Sequence, residues 1–240
     1  MIRHLDLFSG VGGFALAVRW LAGQTIGFCE IEDYPRRVLA KNFPGAPVHD
    51  DIHTLTGDIV AGWGGCDLIT GGFPCQPYSV AGDRRGNADD RALWPQMARV
   101  IDECRPTYVL AENVPGIVPL ALDGVLSDLA NLDYTARAID LSACAVDAPH
   151  RRARVWIMAH STGIRLSGQG EHEQPFHPTA GGNGQANQPV DGSQGYTWEP
   201  EPGVGRVANG VPNGVDRVKA LGNAIVPGVA YEILRVMLGE

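Results

Sequence analysis

Apolar residues in this chain come in short runs, and their spacing switches repeatedly between two and three to four. "HLDLF" alternates, then gives way to glycine-rich residues and to "FALAVRWLA" at helical spacing, which reads as strand, turn and helix. "TIGFCEI" followed by "YPRRVLAKNF" repeats that order. "CDLITGG" (66–72) and "TYVLAENV" (107–114) suit strands buried on both faces, with "LWPQMARVIDEC" as the helix between them. "YTARAIDLSA" and "RVWIMAH" close the series as strands. Strand alternating with helix predicts an α/β fold, a mostly parallel sheet with helices on both faces.

From about Ser161 to Val215 this rhythm stops. "GQGEHEQPFHPTAGGNGQANQPVDGSQG" is rich in Gly, Gln and Pro, has almost no large aliphatics and shows no period, so it reads as a small irregular insertion. "VDRVKALGNAIVPGVAYEILRVMLG" then returns to helical spacing. The expected organisation is an α/β domain over 1–160, an insertion over 161–215 and a C-terminal helix over 216–240 that rejoins the first domain.

Composition narrows the function classes. A chain of 240 residues with 44% hydrophobic content can bury a full core. No run is expected to cross a membrane, and "MIRHLDLFSG" enters a strand at once with no signal peptide in view. Five cysteines without a CxxC pair argue against a disulfide framework or a metal site and suit a cytoplasmic protein. A net charge of −8 is awkward for a nucleic-acid partner, which leaves the basic surface to local stripes.

Five constellations carry candidate chemistry. "DLFSGVGGFALA" spells Gly10-x-Gly12-x-x-Ala15 between a strand and a helix, with Glu30 twenty residues after Gly10. That is the pattern of a nucleotide-binding turn whose carboxylate takes ribose hydroxyls; it does not separate NAD from S-adenosylmethionine, and a packing turn is its ordinary alternative. Asp6, ahead of the turn, suits the ammonium group of a cationic ligand. In "GGFPCQPYS" two glycines and two prolines shape a loop around Cys75, a rigid setting for a nucleophilic thiol, although most lone cysteines are buried packing residues. "ENV" puts Glu112 at the carboxyl end of a strand, where α/β sheets bind ligands. In "APHRRARVWIMA" Arg152 and Arg154 share one face of a strand. "LGNAIVP" breaks a helical stretch at Gly222 and Asn223.

In this order the five motifs strongly resemble the DNA (cytosine-5)-methyltransferase family, over 1–160 and about 217–240. The resemblance implies a Rossmann-like S-adenosylmethionine-dependent methyltransferase fold, S-adenosyl-L-methionine as cofactor, no metal, and a flipped-out cytosine of duplex DNA as substrate. It implies a catalytic set in which Cys75 attacks C6, Glu112 contacts N3 and the exocyclic amine, Arg154 holds O2, and Arg152 supports the loop or the base. For the cofactor it implies Phe8, Ser9, Gly10, Gly12 and Gly13 in the first turn. Glu30 is expected on the ribose, Ile31 on the adenine face, and Asp51 and Ile52 at the adenine edge. Pro74, Leu93, Asn223 and Ala224 would complete the pocket. Gln76, Ser79, Arg84, Arg85 and Arg91 would meet the nucleic acid, the arginines and Ser79 at the flanking phosphates.

The chain also departs from the family. His150 stands where glutamine is usual, and the region between Ser161 and Val215, where the family keeps its target-recognition domain, is short and lacks the usual Thr-Leu pair. Between Ser161 and Pro202 only Arg165 is basic, against Glu171, Glu173, Asp191, Glu199 and Glu201. Either recognition is minimal, or it relies on a partner, or activity is weak; the expected partners are duplex DNA and a cognate restriction endonuclease or specificity partner, with the chain a monomer. Three alternatives stay open: the same chemistry on RNA, an NAD-dependent dehydrogenase, and a DNA-binding remnant without turnover.

Overall fold

The structure, a computed structural model, describes residues 1–74, 93–162 and 214–239. Within them β1 (Arg3–Leu7) is followed by α1 (Gly13–Trp20), β2 (Gln24–Cys29), α2 (Asp33–Asn42), β3 (Val48–His49), α3 (Gly57–Gly62) and β4 (Leu68–Gly71). Then come α4 (Trp94–Cys104), β5 (Tyr108–Asn113), α5 (Leu122–Asn131), β6 (Tyr134–Leu141), β7 (Arg154–Ser161), α6 (Gly214–Asn223) and α7 (Pro227–Leu238). The strands form one sheet in the order β3-β2-β1-β4-β5-β7-β6. The first five are parallel, and β7 runs antiparallel to both β5 and β6.

Period-two alternation explains why both faces are covered. Leu5, Leu7, Ile69, Val109, Ala111, Val155 and Ile157 pack on one face with Met97 and Ile101 of α4. Their neighbours in the strands, Leu68, Leu110 and Trp156, pack on the other with Phe14 and Val18 of α1 and Val229, Ile233 and Leu234 of α7. Expected strands and helices therefore hold. The structure adds β3, α3 and α5, and it starts α1 on Gly13, the last glycine of the cluster.

Lys219–Leu238 is long and apolar enough to cross a membrane by length and composition, against the expectation that no stretch qualifies. It is broken between α6 and α7, and Val229, Ala230, Ile233, Leu234 and Met237 are spent on the core. The expected insertion over 161–215 falls almost wholly outside the described residues.

Candidate active site

The parallel strands all end at one edge of the sheet, and the antiparallel β7 begins there. Three turns and one strand start thus converge: the turn after β1, the residues after β2, the segment after β4, and Arg154 beside the end of β5. A cavity of about 690 Å³ opens at this edge, within the ~300–1,000 Å³ typical of small-molecule sites.

At one end the turn after β1 passes through positive φ at Phe8 (52°), Gly10 (52°) and Gly12 (88°). Glu30 closes this turn from below, for its Oε2 accepts from the Gly10 N–H at 2.7 Å and its Oε1 from the Glu32 N–H at 2.8 Å. Burial raises its pKa, opposed by those two backbone donors. Ser9 is fixed by hydrogen bonds from its Oγ to the carbonyls of Asp6 (2.6 Å) and Cys29 (3.2 Å). Beyond Glu30, Ile31 is 73% exposed at the cavity wall, an apolar platform in the open. Asp51 accepts the His53 N–H (2.9 Å) and faces its ring Nδ1 (2.8 Å) through the same Oδ1, and the His53 backbone donor holds its pKa down.

At the other end lie Glu112 and Arg154. Arg154 Nε stands 2.8 Å from Glu112 Oε1 and Nη1 donates to the Ala153 carbonyl at 2.8 Å. Glu112 is 8% exposed, and burial raises its pKa although Arg154 opposes the shift. Gly72 leaves room for this carboxylate: a Cβ there would stand 3.3 Å from Glu112 Oε2. Asn113, 3% exposed, donates from Nδ2 to the Phe73 carbonyl (3.1 Å) and accepts the Val114 N–H through Oδ1 (2.8 Å). It therefore pins the backbone that leads into Pro74.

Of the residues expected around a cofactor, Phe8, Ser9, Gly10, Gly13, Glu30, Ile31, Asp51, Ile52, Pro74, Leu93, Asn223 and Ala224 all line this one cavity, as do Glu112 and Arg154. Gly12 does not. Its α-carbon turns toward α2, where a Cβ would come within 2.7 Å of the Phe43 ring, so Gly12 is a packing glycine in a left-handed turn. Asp6 is also displaced from its expected part. It is fully buried beneath the sheet face that α1 covers, with Oδ1 accepting from Thr70 Oγ1 at 3.1 Å, and so offers nothing to a ligand. Arg152 does not line the cavity; its guanidinium donates to the carbonyls of Gly222 and Ala224. Cys75, Gln76, Ser79, Arg84, Arg85 and Arg91 lie outside the described residues. Sequence reasoning passed over Asn113, His53, Phe73, Glu32 and Lys219, which also belong to this edge. Lys219 of α6 reaches Glu32 at 2.5 Å across the cavity rim. No cluster of metal-ligating side chains exists among the described residues.

Solved structures share this architecture. A Spodoptera frugiperda DNMT2 variant aligns with a TM-score of 0.60 at 23% identity, over 70% of this chain and 52% of its own. A protein described as a DNA modification methyltransferase encoded within an E. coli prophage aligns with a TM-score of 0.58 at 30% identity, over 68% and 47%. The class is thus that of the Rossmann-like S-adenosylmethionine-dependent methyltransferases. The family model "C-5 cytosine-specific DNA methylase" matches residues 2–188. Type II methyltransferase M2.BsuMI of Bacillus subtilis is 35% identical over 66% of this chain and 42% of its own length. Type II methyltransferase M.HhaI of Haemophilus parahaemolyticus is 29% identical over 69% and 51%. The chain belongs to the C-5 cytosine-specific DNA methylase family, and it spans about half the length of these relatives or less.

Proposed function

We propose that this chain transfers a methyl group from S-adenosylmethionine to C5 of a cytosine in DNA, through a covalent adduct between Cys75 and C6 of a flipped-out base. The observation that carries this reading is one continuous cavity with Glu30 at one end and the Glu112–Arg154 pair at the other. The residues fit the cofactor: Glu30 spends one lone pair of each oxygen on backbone donors and keeps the rest for hydroxyls, and Ile31 offers an adenine a flat apolar wall. Asp51, with Oδ1 occupied by His53, keeps Oδ2 for an exocyclic amine.

When bound, S-adenosylmethionine supplies an electrophilic methyl group. C5 of cytosine is a poor nucleophile until C6 is attacked, so the chain must make it electron-rich. The Cys75 thiolate adds to C6 and pushes the ring's π electrons toward C5. Glu112, held toward its protonated form by burial, hydrogen-bonds N3 and stabilises the ring as charge develops there. Arg154 holds Glu112 and offers O2 a donor. After C5 takes the methyl group, loss of its proton re-forms the double bond and the sulfur leaves C6 by β-elimination. Asn113 keeps the loop entering Cys75 in register with Glu112. Gln76, Ser79, Arg84, Arg85 and Arg91 supply contacts to the nucleic acid beside the flipped nucleotide.

The scarcity of basic residues between Ser161 and Pro202 supports a second reading, the same chemistry on a looped RNA or only with a specificity partner. Tritiated methyl donor offered with unmethylated duplex of mixed sequence and, separately, with tRNA decides between them. We expect label recovered as 5-methylcytosine from the duplex. Label in tRNA alone moves the acceptor to RNA, and label in neither, with S-adenosylhomocysteine bound, leaves a partner-dependent enzyme or a remnant without turnover.

A further inference from the structure

Arg152 holds an unusual position. Its backbone sits at φ 38°, in the left-handed region that non-glycine residues rarely adopt, and such strain persists where the surroundings dictate it. From there Nη2 reaches two carbonyls of the distant α6–α7 junction, Gly222 at 2.8 Å and Ala224 at 2.5 Å. These carbonyls lie at and just beyond the C-terminal end of α6, where unsatisfied acceptors and the helix dipole both favour a cation. One guanidinium thus fixes the peptide group before Asn223 and the one after Ala224, two residues that line the cavity. The buried Nε–H of Arg152 has no partner among the described residues, so the side chain gives up one hydrogen bond to keep this reach.

Two residues along the chain, Arg154 pairs with Glu112, and both line the same cavity. Only Ala153 separates the two arginines, and β7 is laddered to β5 from the pair Asn113–Val155 onward. The same backbone therefore carries one arginine committed to the α6–α7 junction and one committed to the Glu112 site. A shift of Asn223 and Ala224 displaces the carbonyls that hold Arg152, and hence the strand start that presents Arg154. The reverse holds as well.

We propose that Arg152 is a positioning residue that couples the two ends of the cavity, so that filling the Asn223 end strengthens binding at the Glu112–Arg154 end and the reverse. This rests on the functional reading above, which places the cofactor at the first end and the base at the second. Coupling of this kind is reciprocal: each ligand raises the affinity of the other by one common factor.

The test uses the full chain, S-adenosylhomocysteine and an unmethylated mixed-sequence duplex, each titrated with and without the other. The parent is expected to show one common factor of roughly 5 to 150. In R152M that factor falls to about 1, whereas a residue that only supports the fold would weaken both ligands and leave the factor in place. R152K, whose ammonium ends one bond short of the Nη2 position that reaches both carbonyls, is expected to lose at least half of the parent factor and serves if R152M melts. A parent that binds both ligands without mutual enhancement, or a folded variant that keeps the parent factor, overturns the coupling role and leaves the methyltransferase reading standing. A parent that binds neither ligand overturns both.

Discussion

Arg154 Nε and Glu112 Oε1 meet at 2.8 Å because β7 runs antiparallel to β5. A residue that opens one strand thereby stands beside a residue near the end of another. The pair is largely withdrawn from water, with side chains 21% and 10% exposed. Removing one partner leaves the other buried and unpaired, a costly state. In R154M the Glu112 carboxyl loses the stronger of the two arginines that oppose its burial, Arg152 being the other, so its pKa is expected to rise further, and methyl transfer to fall by about 10²–10⁴-fold. E112Q is expected to lose activity over the same range while binding S-adenosylhomocysteine within about twofold of the parent. Steady-state rates and calorimetric titration check both.

Glu30 accepts two backbone N–H groups and is 8% exposed. An amide in its place has one acceptor oxygen, so E30Q leaves one part-buried donor without its partner, at a cost of about 0.5–1.5 kcal/mol in folding free energy. S-adenosylhomocysteine affinity is expected to drop about tenfold or more with it, equivalent to about 1.4 kcal/mol. Denaturant melts and titration of the same samples separate the two losses.

Asn113 links Phe73 to Val114 through its two amide atoms. N113A is expected to cost about 1–3 kcal/mol of stability and to lower the turnover number more than the affinity for S-adenosylhomocysteine, since the bond it removes positions the segment entering Cys75. A turnover number that falls no more than the cofactor affinity would remove that assignment.

Much of this site is readable along the chain because its signals are local. The turn from Phe8 to Gly13 and Glu30 twenty residues on follow from one strand-turn-helix-strand unit, and the Gly222–Asn223 break interrupts a helical period that is plain to see. What is not local is not readable. Asp6 reads as a ligand group until Thr70, 64 positions away, is found holding it inside the fold. Asn113 finds Phe73 across 40 positions, and Arg152 finds Ala224 across 72. The short elements were hidden for another reason: β3 has two residues, and α3 starts and ends on glycines, so neither offers enough period to detect. Helix α5 went unread although Val125 and Leu129, its buried positions, stand four residues apart.

Beneath the sheet, His4 is fully buried between Thr25 and Thr70 (2.9 and 2.7 Å). Thr70 donates to Asp6, so it accepts from His4 Nε2–H, which leaves His4 Nδ1 to accept from Thr25. Burial lowers the His4 pKa to about 3, against an ordinary value near 6.5. The unfolded chain thus takes up a proton near pH 6.5 that the folded chain refuses until about pH 3. The His4 contribution is complete above pH ~6.5 and is lost at about 1.4 kcal/mol per pH unit as pH falls. Asp6, whose buried carboxyl is raised, acts in the opposite sense. H4Q is expected to show a shallower loss of stability than the parent between pH ~6.5 and ~4, measured by denaturant melts across pH. In the parent, ring nitrogen shifts should report a neutral His4 at pH ~5.

The most direct measurement offers the full chain S-adenosylmethionine and a duplex in which cytosines are replaced by 5-fluorocytosine. Fluorine at C5 cannot depart as a proton, so the sulfur cannot leave C6 once the methyl group has arrived. A protein–DNA species that survives denaturation, carries the methyl group and maps to Cys75 by peptide mass is expected, and C75A is expected to form none. An equal yield of adduct from C75A, or active methylation of ordinary cytosine with no adduct on the fluorinated duplex, would contradict a thiol-dependent attack on C6.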